Sequence, residues 1–149
     1  MSKEWGNAYW GLFHTLSFKL KSDAKALELF NMFYTLCTIL PCPICTDHAI
    51  KYLSKINKNN INTRDKLINL FFNFHNNVNN KLRKKQFTKE KYIELYSSNK
   101  LVDILNRFAF IYLKHKNTRK LDINILMRNT YLNTFSVFMR SNKSHFNLD

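Results

Sequence analysis

The sequence predicts an all-α protein, and three observations carry that prediction. Only two glycines, Gly6 and Gly11, and two prolines, Pro41 and Pro43, occur in 149 residues, so the tight turns of hairpins and sheets have almost no residues to form them. Apolar residues recur three and four apart through most of the chain, which is the period of a helix with one buried face. With 45% hydrophobic and 15% aromatic residues, including 13 Phe and 7 Tyr, the chain has enough apolar side chain to build a core around such helices.

The elements follow in order. A first helix is expected over residues 7–20, where Trp10, Phe13, His14 and Leu16 keep helical spacing. A second starts after Ser22 or Asp23, either of which can cap it. It carries Leu27, Phe30, Tyr34 and Cys37 with Ile39 or Leu40, and stops at Pro41. Proline is tolerated in a first helical turn, because the amide it lacks would have no partner there. A third helix is therefore expected over residues 42–54, with the cysteines at its N-terminus. Polar residues 57–63 form a loop, and Thr63 to Asp65 open a long fourth helix striped by Leu67, Leu70, Phe71, Phe74, Val78 and Leu82. A short fifth helix covers residues 88–96, and Ser97, Ser98 and Asn99 form a hinge. Leu101, Ile104, Leu105, Phe108, Ile111 and Tyr112 mark a sixth helix, and residues 123–138 a seventh. No internal repeat is evident.

The same composition excludes functions. With both glycines in the first dozen residues, no glycine-rich phosphate loop or dinucleotide-binding fingerprint exists. No stretch approaches the roughly 20 apolar residues of a membrane span, and the opening Met-Ser-Lys-Glu lacks the apolar core of a secretory signal. A soluble intracellular protein with no membrane partner is expected. The net charge is +14, and Lys81, Arg83, Lys84, Lys85, Lys89 and Lys91 stand close together against Glu90. A nucleic-acid patch is one reading of that cluster. Charge is nevertheless spread over both halves of the chain, which suits solvated lysine faces better, and nucleic acid is not the expected partner.

Chemistry concentrates in L-P-C-P-I-C-T-D-H, residues 40–48. Cys42 and Cys45 are three apart, so in the first turn of a helix they share one face within disulfide reach. The positive end of the helix dipole lowers the thiol pKa there, which is the environment of a redox dithiol. Three alternatives stand beside it. Cys-x-x-Cys-x-x-His could supply three zinc ligands, but with no second cysteine pair the site would need a distant His14, His75 or Cys37. A thioredoxin fold would need βαβ patterning, and none is visible. A plain pair of buried thiols is the third. Further on, F-H-N-N-V-N-N-K-L-R-K-K, residues 74–85, sets His75 and Asn79 at i and i+4 beside the apolar stripe. Asparagine is a poor helix former, so on a half-buried face it asks for a hydrogen-bonding partner, which a ligand or protein groups could be. Trp10 and His14 repeat the pairing of aromatic and imidazole in the first helix.

W-G-N-A-Y-W-G-L-F-H-T, the Cys-x-x-Cys segment and the F-H-N-N segment, in that order over about residues 5–96, together resemble the viral branch of the Erv/ALR family of FAD-linked sulfhydryl oxidases. The resemblance implies a four-helix bundle with a short fifth helix over residues 1–97, holding FAD noncovalently, and leaves residues 98–149 as a helical extension of unassigned role. It implies that Cys45 is the flavin-proximal thiol and that Cys42 exchanges with dithiol protein substrates or a small thioredoxin-like partner. Trp10 and His14 would pack on the cofactor. His48, His75, Asn76, Val78 and Asn79 would line its flavin and adenosine parts, and Lys81 and Lys84 would approach its phosphates or ribose. Tyr96 stands where family members commonly carry a tryptophan near the adenine. O2 would be the electron acceptor, giving H2O2, and no metal is expected. A homodimer through the first helices is implied as well, with the extension altering or covering that surface.

Departures from the family pattern accompany the match. Asn7 replaces an Arg that cellular members often carry, so one phosphate contact is expected to be missing. No cysteines remain for a second structural disulfide, and no shuttle pair stands in either tail, so electrons would enter through Cys42 directly or from a partner protein. Cys37, on the apolar face of the second helix, reads as a buried structural thiol. Two other classes remain open from sequence: a basic module built on a zinc site, and an inactive interaction protein that keeps the fold.

Overall fold

A computed structural model describes residues 3–115 and 123–148. The seventh predicted helix and the extension fall within these ranges apart from residues 116–122 and 149, which lie outside the described residues. Seven helices run in order: α1 Lys3–Lys19, α2 Ala26–Cys37, α3 Pro43–Leu53, α4 Arg64–Lys81, α5 Lys89–Ser97, α6 Leu101–His115 and α7 Ile123–Ser141. Short 3-10 turns at Asp23–Lys25, Lys58–Asn60 and Lys143–His145 complete the order. No strand occurs among the described residues, and the all-α expectation holds.

Local chemistry starts most of these helices where the sequence predicts. The Cys42 sulfur accepts from the Cys45 amide (3.3 Å), Thr63 Oγ1 from the Lys66 amide (3.1 Å) and Thr88 Oγ1 from the Lys91 amide (3.3 Å). Each bond satisfies one of the amides a helix N-terminus leaves without a partner. Two boundaries differ from expectation for tertiary reasons. α1 begins four residues early because Trp5, Ala8 and Tyr9 are buried, and the Tyr9 ring packs on Phe108 and Tyr112 of α6. α2 is not capped by Ser22 or Asp23. Asp23 Oδ1 instead accepts from the Arg64 amide (2.8 Å) and so helps cap α4. α2 also ends at Cys37, three residues short, and the carbonyls of Ile39 and Leu40 accept from the Arg128 guanidinium at 3.1 and 3.0 Å.

α1 is the central element, packed against α4, α5 and α6, while α2 packs against α3, α4 and α7. The core is continuous across residue 97. Phe13, Phe30, Phe33, Leu36 and Phe71 belong to the same buried cluster as Phe108, Tyr112, Tyr131 and Phe135 of the extension. Polar ties fix the extension in register. The Tyr131 hydroxyl donates to the Met32 carbonyl (2.8 Å), and Asn99 donates to Thr15 Oγ1 (3.1 Å). Phe146 is buried and bridges antiparallel to Leu20, flanked by backbone bonds from Lys21 to His145 and from Asn147 to Lys19, both 2.7 Å. No described helix is long and apolar enough to cross a membrane.

Candidate active site

The first turn of α3 presents Cys42 and Cys45 joined as a disulfide, with Cα atoms 5.2 Å apart. Cys42 is the N-cap, Pro43 stands at N1 and Cys45 follows in the same turn. Both sulfurs therefore sit at the positive end of the α3 dipole, where a thiolate released from the pair is stabilised.

Facing them is a plate of aromatic and imidazole rings contributed by α1 and α4. The Trp10 indole lies within 7° of parallel to both imidazoles, 4.1 Å from His75 and 5.1 Å from His14 between centroids. His14 Nε2 and His75 Nδ1 are 2.8 Å apart. The Tyr92 hydroxyl of α5 is hydrogen-bonded to His14 Nδ1. Burial holds His14 far below the usual imidazole range, and burial with the nearby Lys84 charge lowers His75 to about 3, so both rings are neutral near pH 7. His48 is also lowered, by partial burial and then by the Lys81 charge, and its Nε2 donates to Asn77 Oδ1 at 3.0 Å.

These groups border a cavity of about 600 Å³. Of the residues the sequence singles out, Trp10, Cys45, His48, His75, Val78 and Asn79 line it, and Tyr96, Lys81 and Lys84 complete the wall and its basic edge. Cys42 is not on the wall, so the two sulfurs of the disulfide differ in position relative to the cavity. His14 does not reach the cavity: it is fully buried behind His75 and Trp10. Asn76 is likewise off the wall. Its carboxamide donates to the Phe87 carbonyl (3.0 Å) and accepts from the Phe87 amide (2.7 Å), clamping that residue onto the cavity.

Several wall residues escape sequence reasoning. Trp5 and Gly6 line the cavity beside Trp10, and only the helical step back from Trp10 points to them; Asn7, marked in the sequence as standing where cellular members often carry an Arg, lines it too. Phe74 belongs to the predicted stripe and reads as core. Phe87 and Lys85 come from the loop after α4, where Arg83 adopts the left-handed conformation (φ 57°) and turns the chain back over the cavity. No periodic signal marks a loop residue of this kind.

Two buried polar groups on the wall lack partners. Among the described residues nothing hydrogen-bonds the Asn79 carboxamide or His75 Nε2, although both residues are more than nine-tenths buried. Buried polar groups are rarely left so. The zinc reading has little to work with, because Cys42 and Cys45 are bonded to each other and His14 and His75 to one another. Cys37 is buried on α2 with its thiol pushed up by desolvation, an inert structural thiol.

Comparison with known proteins follows the same residues. Residues 7–97 match the Erv1 / Alr family. A protein of Invertebrate iridescent virus 3, named as an FAD-linked sulfhydryl oxidase, is 32% identical over 99 residues, covering 63% of this chain and 66% of its own length. The FAD-linked sulfhydryl oxidase of African swine fever virus is 34% identical over 104 residues, covering 67% of this chain and 86% of its own. A fowlpox virus protein named for the same activity is 31% identical over 98 residues, covering 66% of this chain and 95% of its own. No solved structure matches this chain. On the family match, which spans the disulfide and the ring plate alike, the chain belongs to the Erv1 / Alr family.

Proposed function

We propose that this chain is an FAD-dependent thiol oxidase that forms disulfides in substrate proteins. One observation carries the reading: a disulfide at a helix N-terminus has one sulfur residue, Cys45, on the wall of an aromatic cavity that also holds two buried polar groups without partners. The residues fit the cofactor. Trp10 and Tyr96 offer flat faces, His75 and Asn79 offer hydrogen bonds, and Lys81, Lys84 and Lys85 offer charge to phosphates. When bound, FAD accepts an electron pair from the enzyme dithiol and passes it to O2, giving H2O2.

The chain's own work is thiol exchange and positioning. A substrate thiolate attacks Cys42 Sγ, the Cys42–Cys45 bond breaks, and Cys45 leaves as a thiolate held by the α3 dipole. A second substrate thiolate attacks the substrate sulfur of the mixed disulfide, releasing oxidised substrate and the Cys42 thiolate. Cys45, on the wall, then faces the cofactor, while Cys42 stays outside to meet protein substrates or a small thioredoxin-like partner. The chemistry belongs to residues 1–97, and the described part of residues 98–149 packs against that unit.

By kinship the chain forms a homodimer through its first helices; α6 packs on α1 and α7 on α2, so the extension covers part of those helices and alters the surface through which two copies would meet. By kinship with the viral relatives, the setting is the cytoplasm of an infected cell, at the virus factory or in the virion, and the products serve virion assembly. The test is an absorbance spectrum between about 300 and 550 nm, the range of flavin bands, before and after a dithiol is added in a sealed cuvette. A flavin band that bleaches and returns on admitting air is the expected result. A protein still colourless after incubation with FAD would overturn the reading.

A further inference from the structure

Behind the cavity wall runs a hydrogen-bonded chain of three side chains whose donor order can be worked out. Tyr92 Oη meets His14 Nδ1, and His14 Nε2 meets His75 Nδ1 at 2.8 Å. The two imidazoles are within 8° of parallel with centroids 5.0 Å apart, and Trp10 stacks on both, so neither ring can turn without losing these contacts. Tyr92 and His14 are fully buried, and His75 nearly so.

A neutral imidazole carries one N–H, so each hydrogen bond in the chain has one donor and the order is all-or-none. Two orders exist. In one, the tyrosine donates inward and each histidine passes a donor toward the cavity. In the other, each histidine donates backward and the tyrosine oxygen accepts. The second order leaves the Tyr92 hydroxyl proton buried with no acceptor, since among the described residues His14 is its one hydrogen-bond partner. An unmade buried donor is the costlier outcome. The first order satisfies every group except His75 Nε2, and that atom belongs to a residue on the cavity wall.

We propose that Tyr92 is a positioning residue that acts through His14 to fix the proton of His75 on Nε2, so that the wall offers a hydrogen-bond donor to an acceptor atom of the bound cofactor. Tyr92 itself does not line the cavity. The direction of the donor rests on the two buried bonds and on the neutrality of both rings. Its use toward FAD rests on the proposed function. The neutrality that the one-proton argument needs comes from burial, which keeps both imidazoles uncharged near pH 7.

The test reads the tautomers directly in protein not yet loaded with cofactor. Long-range proton–nitrogen correlation spectra of histidine-labelled protein at pH 7 are expected to show both His14 and His75 protonated on Nε2, with Nδ1 unprotonated. In Tyr92→Phe, which keeps the ring and removes the donor, the preference is expected to relax to a mixture, and FAD affinity to fall about tenfold. A His75 protonated on Nδ1 in the parent protein would overturn the proposal. So would a folded Tyr92→Phe that keeps the parent's tautomers. The parent spectrum decides the donor order even if the variant fails to fold. A protein that shows the expected tautomers yet never takes up FAD would refute the oxidase reading and leave the donor order standing.

Discussion

Lowering the pH from 7 to 5 should destabilise this protein steeply, and the cause lies in two neutral histidines. His75 has its pKa lowered from 6.5 to about 3, and His14 is lowered as well, by full burial first and by the neighbouring imidazole second. Once unfolded, each ring binds a proton near its ordinary value of about 6.5. Between that value and the folded one, the unfolded chain therefore holds more protons than the native protein, and stability falls as pH falls. The contribution is fully present above about pH 6.5 and is lost progressively down to about pH 3 for His75. His75 contributes a slope of about 1.4 kcal/mol per pH unit. Between pH 7 and 5 that amounts to about 2 kcal/mol for His75, and His14 acts in the same direction. Against a typical stability of about 5–15 kcal/mol this is a large fraction. Urea unfolding of the cofactor-free protein at half-unit pH steps measures it, and His75→Gln should make the slope shallower. A midpoint that is flat from pH 7 to 5, or that rises on acidification, would refute the reasoning.

Cys45→Ser should keep the flavin colour and reduce dithiol-dependent oxygen consumption to background, because the thiol on the cavity wall is gone; turnover near the parent rate would move the electron path elsewhere. Arg128→Ala should cost about 2–3 kcal/mol by leaving the carbonyls of Ile39 and Leu40 without their charged donor, read as a lower urea midpoint with unchanged flavin content. Arg83→Gly should raise stability by about 1 kcal/mol, since a left-handed backbone is strained for arginine and ordinary for glycine; calorimetry checks the sign. A chain ended after residue 98 should form larger species than the full chain in light scattering, because Tyr9 would lose the cover of Phe108 and Tyr112.

What the sequence makes legible is what local chemistry decides. Thr63, Thr88 and Cys42 announce helix starts because capping is settled within four residues. The α4 contribution to the wall is legible for a similar reason: His75, Val78 and Asn79 follow from one helical period. Long-range contacts decide the remainder. Ser22 and Asp23 look like equal caps for α2, yet Asp23 serves α4 from across the fold. Trp10 and His14 have the same spacing signal, but α5 closes over His14 through Tyr92 and leaves Trp10 on the wall. Phe87 reaches the cavity only because Arg83 reverses the backbone and Asn76 clamps the loop. In the extension, amphipathic periodicity forecasts two helices, but nothing local says that Tyr131 and Arg128 are destined for the end of α2.

The pairing of Leu20 with Phe146, and of Tyr9 with Phe108 and Tyr112, also sets an order of events during synthesis. Every residue on the cavity wall lies between Trp5 and Tyr96, so that wall is synthesised before any of the extension. At about 5–20 residues per second, residues 98–149 take a further ~3–10 s to appear. Throughout that interval the outer face of α1 is bare and the opening helix lacks the partners that later hold both its ends. The residues of the cofactor pocket are thus all made ahead of the segment that holds their scaffold, and the final residues act as the clasp that closes it.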